Sequence, residues 1–271
     1  MNTKLRNDVR QGILHKLPYI CLELLNTENP ESVDYIIARY LVEHIYRLSG
    51  VSIQDIADAC SVSKSTISRF CRKAGLEDFQ EMKDELYNSR PYRDVMFNTP
   101  LVSENGESYL QLVAKQALAL DQALDYKKIS TLASEIYTAN NVLLMGSMQA
   151  MNPAVNLQQD LFASDKVTRA PGMFSLQLDA LTRAKAGDLV ICFSNSGSFF
   201  ERLFMTSGDI HKLDQLKIWM ITGNENLHLP YINETILVPD NHSYVSHPMQ
   251  FNLTARVIAI SYAEYTRRIE K

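Results

Sequence analysis

The sequence contains no long apolar run and only a few scattered cysteines. No stretch approaches the roughly 20 consecutive apolar residues that a membrane-spanning helix needs. The start, MNTKLRNDVRQG, also lacks the apolar core of a signal peptide. We therefore expect a cytoplasmic protein without a membrane partner. Cys21, Cys60, Cys71 and Cys192 stand apart among apolar residues, which predicts reduced core thiols rather than disulfides or a zinc site.

The sequence also lacks a strong excess of positive or negative charge, since its net charge is −4. A hydrophobic content of 46% and a charged content of 21% are typical of a folded globular protein. With 271 residues, the chain is long enough to bury two separate cores. Four cations lie close together at Lys64, Arg69, Arg72 and Lys73. Since a local basic surface decides nucleic-acid binding, the overall charge neither supports nor excludes it.

Two domains and a linker are predicted from the pattern along the chain. Residues 1–88 have helical periodicity without strand-like alternation, which indicates an all-α domain. Residues 89–107 contain prolines, a glycine and small polar residues, which is typical of a linker. Residues 108–271 alternate short apolar runs with amphipathic segments. This alternation predicts an α/β domain with a parallel sheet flanked by helices.

Five apolar runs predict a five-stranded parallel sheet in the second domain. They are Val142–Met145, Lys166–Ala170, Leu189–Phe193, Lys217–Ile221 and Thr235–Val238. Such a sheet places a ligand outside the carboxyl ends of its strands, near the point where the strand order reverses. The loops after the first and third runs are therefore the places to look for a binding site.

A helix-turn-helix is predicted at about residues 53–74. Ile53, Ile56, Ala57 and Cys60 recur at spacings of three and four residues, which indicates the apolar face of a first helix. Residues 61–63, Ser-Val-Ser, make the turn, and the last of these serines is placed to cap a second helix. That second helix is expected to run over residues 64–74 and to stop at the following glycine.

The outward side of the second helix has the chemistry that DNA binding needs. Its inward residues are predicted to be Ile67, Phe70, Cys71 and Ala74. Lysine and arginine neutralise phosphates, serine and threonine donate hydrogen bonds, and arginine can read guanine with two of them. The candidate DNA-binding residues are Ser63, Lys64, Ser65, Thr66, Ser68, Arg69, Arg72 and Lys73.

Within that set, the N-terminal residues Lys64, Ser65, Thr66 and Arg69 are the candidates for base edges. Arg72 and Lys73 at the other end are the candidates for phosphates. The alternative interpretation is the solvated basic face of an ordinary helical hairpin. Downstream, residues 77–85 include five acidic side chains, which we expect to form a solvated face.

A candidate anion site follows the third apolar run. Serines around a glycine at the start of a predicted helix offer hydroxyl and backbone donors to a phosphate. The alternative is a small-residue turn with a serine cap. Together with the loop after the first run, the candidate ligand-binding residues are Gly146, Ser147, Gln149, Ser194, Asn195, Ser196, Gly197, Ser198 and Glu201.

The pairing of VSKSTISRFCRKAGL with DLVICFSNSGS resembles the RpiR/MurR family of bacterial transcriptional regulators. This resemblance covers roughly residues 32–268. It implies an N-terminal helix-turn-helix joined to a C-terminal SIS (sugar isomerase) domain of the flavodoxin-like type, and a homodimer or homotetramer on a palindromic DNA operator. It also implies a phosphosugar effector in place of a cofactor.

The resemblance assigns the phosphate loop by its S-x-S-G motif. This motif corresponds to Ser194, Ser196 and Gly197, with Glu201 as the acidic residue that follows. A common threonine is Phe199 here, so one phosphate donor is missing.

The loop after the first apolar run departs further from the family pattern. Where the family has G-x-G-x-S, this chain has Met148 in place of the second glycine and Ala150 in place of the serine. Ser147 and Gln149 can substitute as donors.

The function predicted from these features is a DNA-binding regulator that responds to a phosphosugar or a related metabolite and controls carbohydrate metabolism genes. One alternative is a phosphosugar isomerase or lyase with an accessory helical domain. Another is a regulator whose SIS domain has lost ligand binding and serves only for dimerisation. His242 and His247 are interpreted as exposed or structural residues, since no acid/base partner or third metal ligand accompanies them. No catalytic residue is predicted.

Overall fold

The structure is a computed structural model that describes residues 17–48, 50–88, 100–146, 148–195, 197, 210–239 and 247–270. The chain divides into two compact units. The first is built from the chain up to Pro91 together with Met173–Leu176, and the second from the rest of the chain. Within the described ranges, no helix is both long and apolar enough to cross a membrane.

The first unit is helical throughout its described part. Its helices are α1 (Leu17–Thr27), α2 (Val33–His44), α3 (Ile53–Ala59), α4 (Lys64–Lys73) and α5 (Phe79–Asn88), with a short 3-10 helix at Ile45–Arg47. They surround one apolar core. The largest fully buried side chains in it are Phe70, Leu17, Leu24, Ile37, Leu41, Ile56 and Ile67.

A tight turn joins α3 to α4. The Ser61 N–H donates to the Asp58 carbonyl at 3.1 Å and the Val62 N–H donates to the Ala57 carbonyl at 2.8 Å. This pair of bonds is the Schellman arrangement, which satisfies the last carbonyls of a helix. Ser61 accordingly has a left-handed backbone, with a φ of 55°, although a serine pays a steric cost in that region.

We expect Ser61→Gly to raise the free energy of unfolding by about 0.5–1 kcal/mol, because glycine avoids the left-handed penalty but adds freedom to the unfolded chain. Denaturant unfolding of the full chain, followed by circular dichroism, measures the change. Ser65→Gly is the matched control. It lies inside α4, where a glycine lowers stability. Equal destabilisation by both changes would contradict the assignment of strain to Ser61.

Glu85 is buried in the first unit, with 2% of its surface exposed. Its Oε2 accepts a hydrogen bond from the backbone N–H of Leu17, where α1 begins, at 3.2 Å. The prediction of a solvated acidic face is therefore wrong for this residue, although Glu77, Asp78 and Asp84 are exposed. First-turn N–H groups have no intrahelical acceptor, so a buried carboxylate can satisfy one.

The cysteines are buried free thiols, as their apolar neighbours predict. Burial, and secondarily the charge of Glu85, raise the pKa of the Cys21 thiol. Burial likewise raises the pKa of Cys71 to about 12. Thiols held protonated in this way are poor nucleophiles and poor metal ligands.

The second unit is an α/β structure. Its helices are α6 (Tyr109–Ala123), α7 (Tyr126–Thr138), α8 (Met151–Phe162), α9 (Phe174–Thr182) and α10 (His247–Ile269). Two short 3-10 helices lie at Met148–Ala150 and Ile210–Gln215. The strands are β1 (Val142–Gly146), β2 (Leu189–Phe193), β3 (Lys217–Thr222) and β4 (Glu234–Leu237). They pair in parallel in the order β1-β2-β3-β4.

The prediction of a fifth strand at Lys166–Ala170 is wrong. That segment makes only a parallel bridge between Arg169 and β1. The Arg169 N–H donates to the Val142 carbonyl at 3.0 Å, and the Leu144 N–H donates to the Arg169 carbonyl at 2.8 Å. The next bond of such a ladder would need an N–H at residue 171, which is a proline and has none. Pairing therefore stops after one bridge.

The Arg169 bridge lies on the edge of β1 opposite β2. The Val142 carbonyl and the Leu144 N–H form hydrogen bonds with the backbone of Arg169. On the opposite edge, the Asn141 carbonyl accepts from the Leu189 N–H of β2 at 2.9 Å. After β1 the chain passes through α8 to the Arg169 bridge, which lies on one edge of β1. It later forms β2 on the opposite edge of β1. The strand order reverses at β1, and such a reversal opens a crevice at the carboxyl ends of the strands.

Helix α10 runs antiparallel to the strands. Near its start, Phe251 packs edge-on against Phe193, the last residue of β2, with ring centroids 5.8 Å apart. Near its end, Tyr265 packs against Tyr137, which precedes β1, with centroids 5.6 Å apart. The helix begins at His247 and ends at Ile269. Pro248 does not prevent this start, since proline is tolerated in the first turn.

Trp219 in β3 is fully buried in the core of the second unit. Its indole N–H donates to the Glu135 Oε2 in α7 at 2.7 Å. The other carboxylate oxygen of Glu135 lies 2.5 Å from the Lys217 ammonium. The buried indole donor therefore has its partner, and the pair joins α7 to the sheet.

Candidate nucleic-acid interface and ligand site

Helix α4 begins with a cluster of hydroxyl groups. The Ser63 Oγ accepts a hydrogen bond from the Thr66 N–H at 3.2 Å, so Ser63 caps the helix as the sequence predicts. The same oxygen lies 2.7 Å from the Ser65 hydroxyl and 2.9 Å from the Thr66 hydroxyl. A helix start with exposed hydroxyls and a positive dipole end suits an anion such as a DNA phosphate.

The two sides of α4 differ as the spacing predicts. Ile67, Phe70, Cys71 and Ala74 are buried in the first unit. The opposite side carries only hydroxyl and cationic groups that are exposed or half-buried. They are Ser63, Lys64, Ser65, Thr66, Ser68, Arg69, Arg72 and Lys73. Every candidate DNA-binding residue is therefore on the accessible side of this helix within the first unit.

The cations of α4 differ in their own contacts. Lys73 forms ion pairs with Glu28 at 2.6 Å and Asp34 at 2.5 Å. Hydrogen bonds to Asp34 and Glu28 raise the pKa of Lys73. The Arg72 Nε donates to the Ser68 carbonyl at 3.4 Å, which leaves the rest of its guanidinium for other acceptors. The Lys73 charge is thus already compensated within the first unit, in contrast to Arg72.

The loop after β1 folds back on itself. A Cβ added to Gly146 would lie 2.3 Å from the carbonyl oxygen of Ala150. Glycine is therefore required by the 3-10 turn at Met148–Ala150, whether or not a ligand is bound. Gln149 in that turn is half-buried, whereas Ala150 is buried. Ser147 lies outside the described residues.

Gln177 in α9 supports this loop. Its side-chain amide donates to the Gly146 carbonyl at 2.8 Å and to the Gly172 carbonyl at 3.0 Å. Its Oε1 accepts from the Gly146 N–H at 3.4 Å. The sequence interpretation missed this residue. A signal was present, because Gln177 shares the buried i, i+3, i+4 face of α9 with Ala180 and Leu181.

The loop after β2 lies beside Gly146 at the carboxyl edge of the sheet. β1 and β2 pair with Gly146 opposite Phe193, so Ser194 is the next residue along that edge. The Ser194 N–H donates to the Ile221 carbonyl at 3.0 Å. The Asn195 carbonyl accepts from the buried Thr222 hydroxyl at 2.7 Å. The start of the loop is therefore fixed to β3.

Gly197 is buried with a φ of 79°, a backbone that favours glycine. A Cβ there would lie 2.4 Å from a methyl carbon of Leu227, so the side chain of Leu227 occupies the space over this glycine. The residues brought together at the carboxyl edge are Gly146, Gln149, Ser194, Asn195 and Gly197. The candidates Ser196, Ser198 and Glu201, with Phe199 and His242, lie outside the described residues.

Comparison with known proteins gives three kinds of match. Residues 26–90 match the model of the helix-turn-helix domain of the rpiR family. An HTH-type transcriptional regulator of Caldanaerobacter subterraneus is 27% identical over 60% of this chain and 59% of its own length. The HTH-type transcriptional regulator HexR of Pseudomonas aeruginosa is 24% identical over 59% of this chain and 58% of its own length. The chain thus spans about three-fifths of the length of these curated relatives.

Among solved structures, the NanR protein of Vibrio vulnificus, complexed with ManNAc-6P, has a similar fold. It is 16% identical, the match covers 94% of each chain, and the TM-score is 0.50. The family match includes all of α2, α3, α4 and α5 and the turn that Ser61 forms. Residues 26–90 of this chain are a helix-turn-helix domain of the rpiR family.

Proposed function

We propose that this chain is a transcription regulator that binds double-stranded DNA through the exposed side of α4. The observation that carries the proposal is the contrast between the two sides of this helix, one apolar and buried, the other hydroxylic and cationic. In this proposal Lys64, Ser65, Thr66 and Arg69 meet base edges in the major groove. Ser63, Ser68 and Arg72 contact phosphates. Lys73 mainly stabilises the helix against α1 and α2.

The regulator is proposed to respond to a phosphorylated sugar at the carboxyl edge of β1 and β2. This edge is where the strand order reverses, the usual place for a ligand in such a sheet. The loops that begin at Gly146 and Ser194 meet there, and among their described residues Ser194, Gln149 and Asn195 carry uncharged hydrogen-bond donors. The similar NanR protein is complexed with ManNAc-6P, which supports this class of effector. Ser147, Ser196, Ser198 and Glu201 remain candidates for the same site.

The proposed action is binding without catalysis, in keeping with relatives that are named as transcriptional regulators. Two copies are proposed to occupy two half-sites, since a two-fold dimer matches a palindromic operator. The effector then shifts the dimer between arrangements that fit the operator and arrangements that do not. Genes of sugar metabolism are the proposed targets.

Selection of duplexes from a random-sequence DNA library by the full wild-type chain tests the proposal. We expect enrichment of an inverted repeat, with an affinity that falls steeply as salt is raised, because phosphate contacts release counterions. The selected duplex is then titrated with ManNAc-6P, glucose 6-phosphate, fructose 6-phosphate and glucosamine 6-phosphate present in turn. A change in DNA affinity with one of them supports the effector. A library that emerges unenriched rejects DNA binding.

A further inference from the structure

Gln250 is a buried polar residue of the second unit whose side-chain nitrogen lacks a hydrogen-bond partner among the residues that the structure describes. It lies in the first turns of α10, and 1% of its surface is exposed. Buried polar groups are almost always paired, because an unpaired donor has lost its hydrogen bonds to water without replacement. The adjacent Thr254 follows that rule, since its hydroxyl donates to the Gln250 carbonyl at 2.8 Å.

The position of Gln250 along α10 puts it at the carboxyl edge of the sheet. Phe251, the next residue, packs against Phe193 at the end of β2, and Ser194 follows Phe193 directly. Helix α10 also contacts the 3-10 turn at Met148–Ala150. The start of α10 is therefore beside both loops of the proposed ligand site.

The packing of α10 gives no reason for an amide at this position. On the buried face of this helix, Phe251, Ala255 and Ile258 are apolar and fully or almost fully buried. The one other polar side chain among them, Thr254, already uses its hydroxyl on the Gln250 backbone carbonyl. A methionine has a similar length and would fill the same space without an unpaired donor. A buried donor without a partner, next to a candidate ligand site, is a candidate binding group.

We propose that the side-chain amide of Gln250 donates a hydrogen bond to the sugar part of the bound phosphosugar, at a hydroxyl or carbonyl oxygen. This assignment rests on the proposed function and adds a specificity-determining residue to it. An uncharged single donor suits a neutral oxygen. A phosphate is better served by the several backbone and hydroxyl donors of the loop after β2.

Gln250→Met in the full chain tests the assignment, with Thr254→Val as the matched control on the same buried face. Thermal shift and calorimetric titration are carried out with ManNAc-6P, glucose 6-phosphate, fructose 6-phosphate and glucosamine 6-phosphate as probes. We expect Gln250→Met to weaken binding of the responding phosphosugar about tenfold, the effect of losing one hydrogen bond to a ligand. Its melting temperature without ligand should equal or exceed that of the wild type, since the amide nitrogen is buried there without a partner in the described part of the chain. Thr254→Val should bind as the wild type does.

The outcomes separate this inference from the proposed function. If the wild type responds and Gln250→Met binds equally well, the inference is overturned while the effector proposal stands. If the wild type responds to none of the probes, the effector proposal fails and the inference fails with it. A lower melting temperature for Gln250→Met shows that the amide supports the fold, which also overturns the inference. Gln250→Asn, which keeps the amide but shortens its reach, is expected to show the same loss of binding, and wild-type binding by this variant would also count against the inference.

Discussion

Arg69→Ala is expected to lower affinity for the selected duplex about ten- to hundredfold, equivalent to roughly 1–3 kcal/mol for a bidentate contact to guanine. Arg69 lies on the exposed side of α4, less than two turns from the capped end that meets the major groove in helix-turn-helix proteins. Removing it should also relax the preference for one base pair. Fluorescence anisotropy with the selected duplex and its single-base variants measures both effects.

Two other α4 variants serve as controls. Arg72→Ala should weaken all duplexes alike and reduce the slope of affinity against salt by about one unit, as the loss of a phosphate contact does. Lys73→Ala should change affinity little, because Glu28 and Asp34 already compensate its charge. A selected duplex that Arg69→Ala binds as tightly as the wild type, at every salt concentration, would remove Arg69 from the base-reading set.

Gly146→Ala is expected to lower the free energy of unfolding of the second unit by about 2–3 kcal/mol, near the upper end of the usual cost of overpacking. The added Cβ would lie 2.3 Å from the Ala150 carbonyl oxygen and 2.6 Å from its carbon. These are backbone atoms, so they cannot move aside as the end of a side chain can. The turn at Met148–Ala150 must shift, and the response to a phosphosugar should weaken with it.

Gly106→Ala provides the comparison for this collision. Gly106 has a left-handed φ of 76° but nothing within 4 Å of its added Cβ, so the substitution adds backbone strain without a clash. It should lower the free energy of unfolding by about 1–2 kcal/mol, which is the penalty of the left-handed conformation alone. Melting of Gly146→Ala at the wild-type temperature would mean that the turn adjusts freely, contrary to the packing described.

The helix-turn-helix was predictable from the sequence because its determinants are local. Apolar spacing fixes the buried side of α4, and Ser63 caps it as a hydroxyl at that position should. The parallel order of the four strands follows from apolar runs separated by helices. The loops at Gly146 and Ser194 meet at one edge for the same reason, since parallel strands end on the same side of a sheet.

The remaining features depend on contacts between distant parts of the chain. The ladder at Arg169 stops at Pro171, which matters only once the partner groups on β1 are known. Gln177 and Gln250 are separated from the loops they adjoin by long stretches of sequence, and neither belongs to a motif. Glu85 looks like a solvated acid until the N–H of Leu17 is placed against it. Sequence periodicity predicts on which face of a helix or strand a side chain lies, but it does not predict which residues from other parts of the chain contact it.

The single tryptophan of this chain provides an optical reporter for one half of the molecule. Trp219 is fully buried in the second unit, and its indole N–H is hydrogen-bonded to Glu135. When tryptophan is excited selectively, the fluorescence therefore comes from that unit alone. Its red shift on exposure to water will follow unfolding of the α/β unit, while the far-ultraviolet ellipticity follows the helices of both. Unfolding of the sheet and unfolding of the helices of the first unit can thus be told apart in one unlabelled sample.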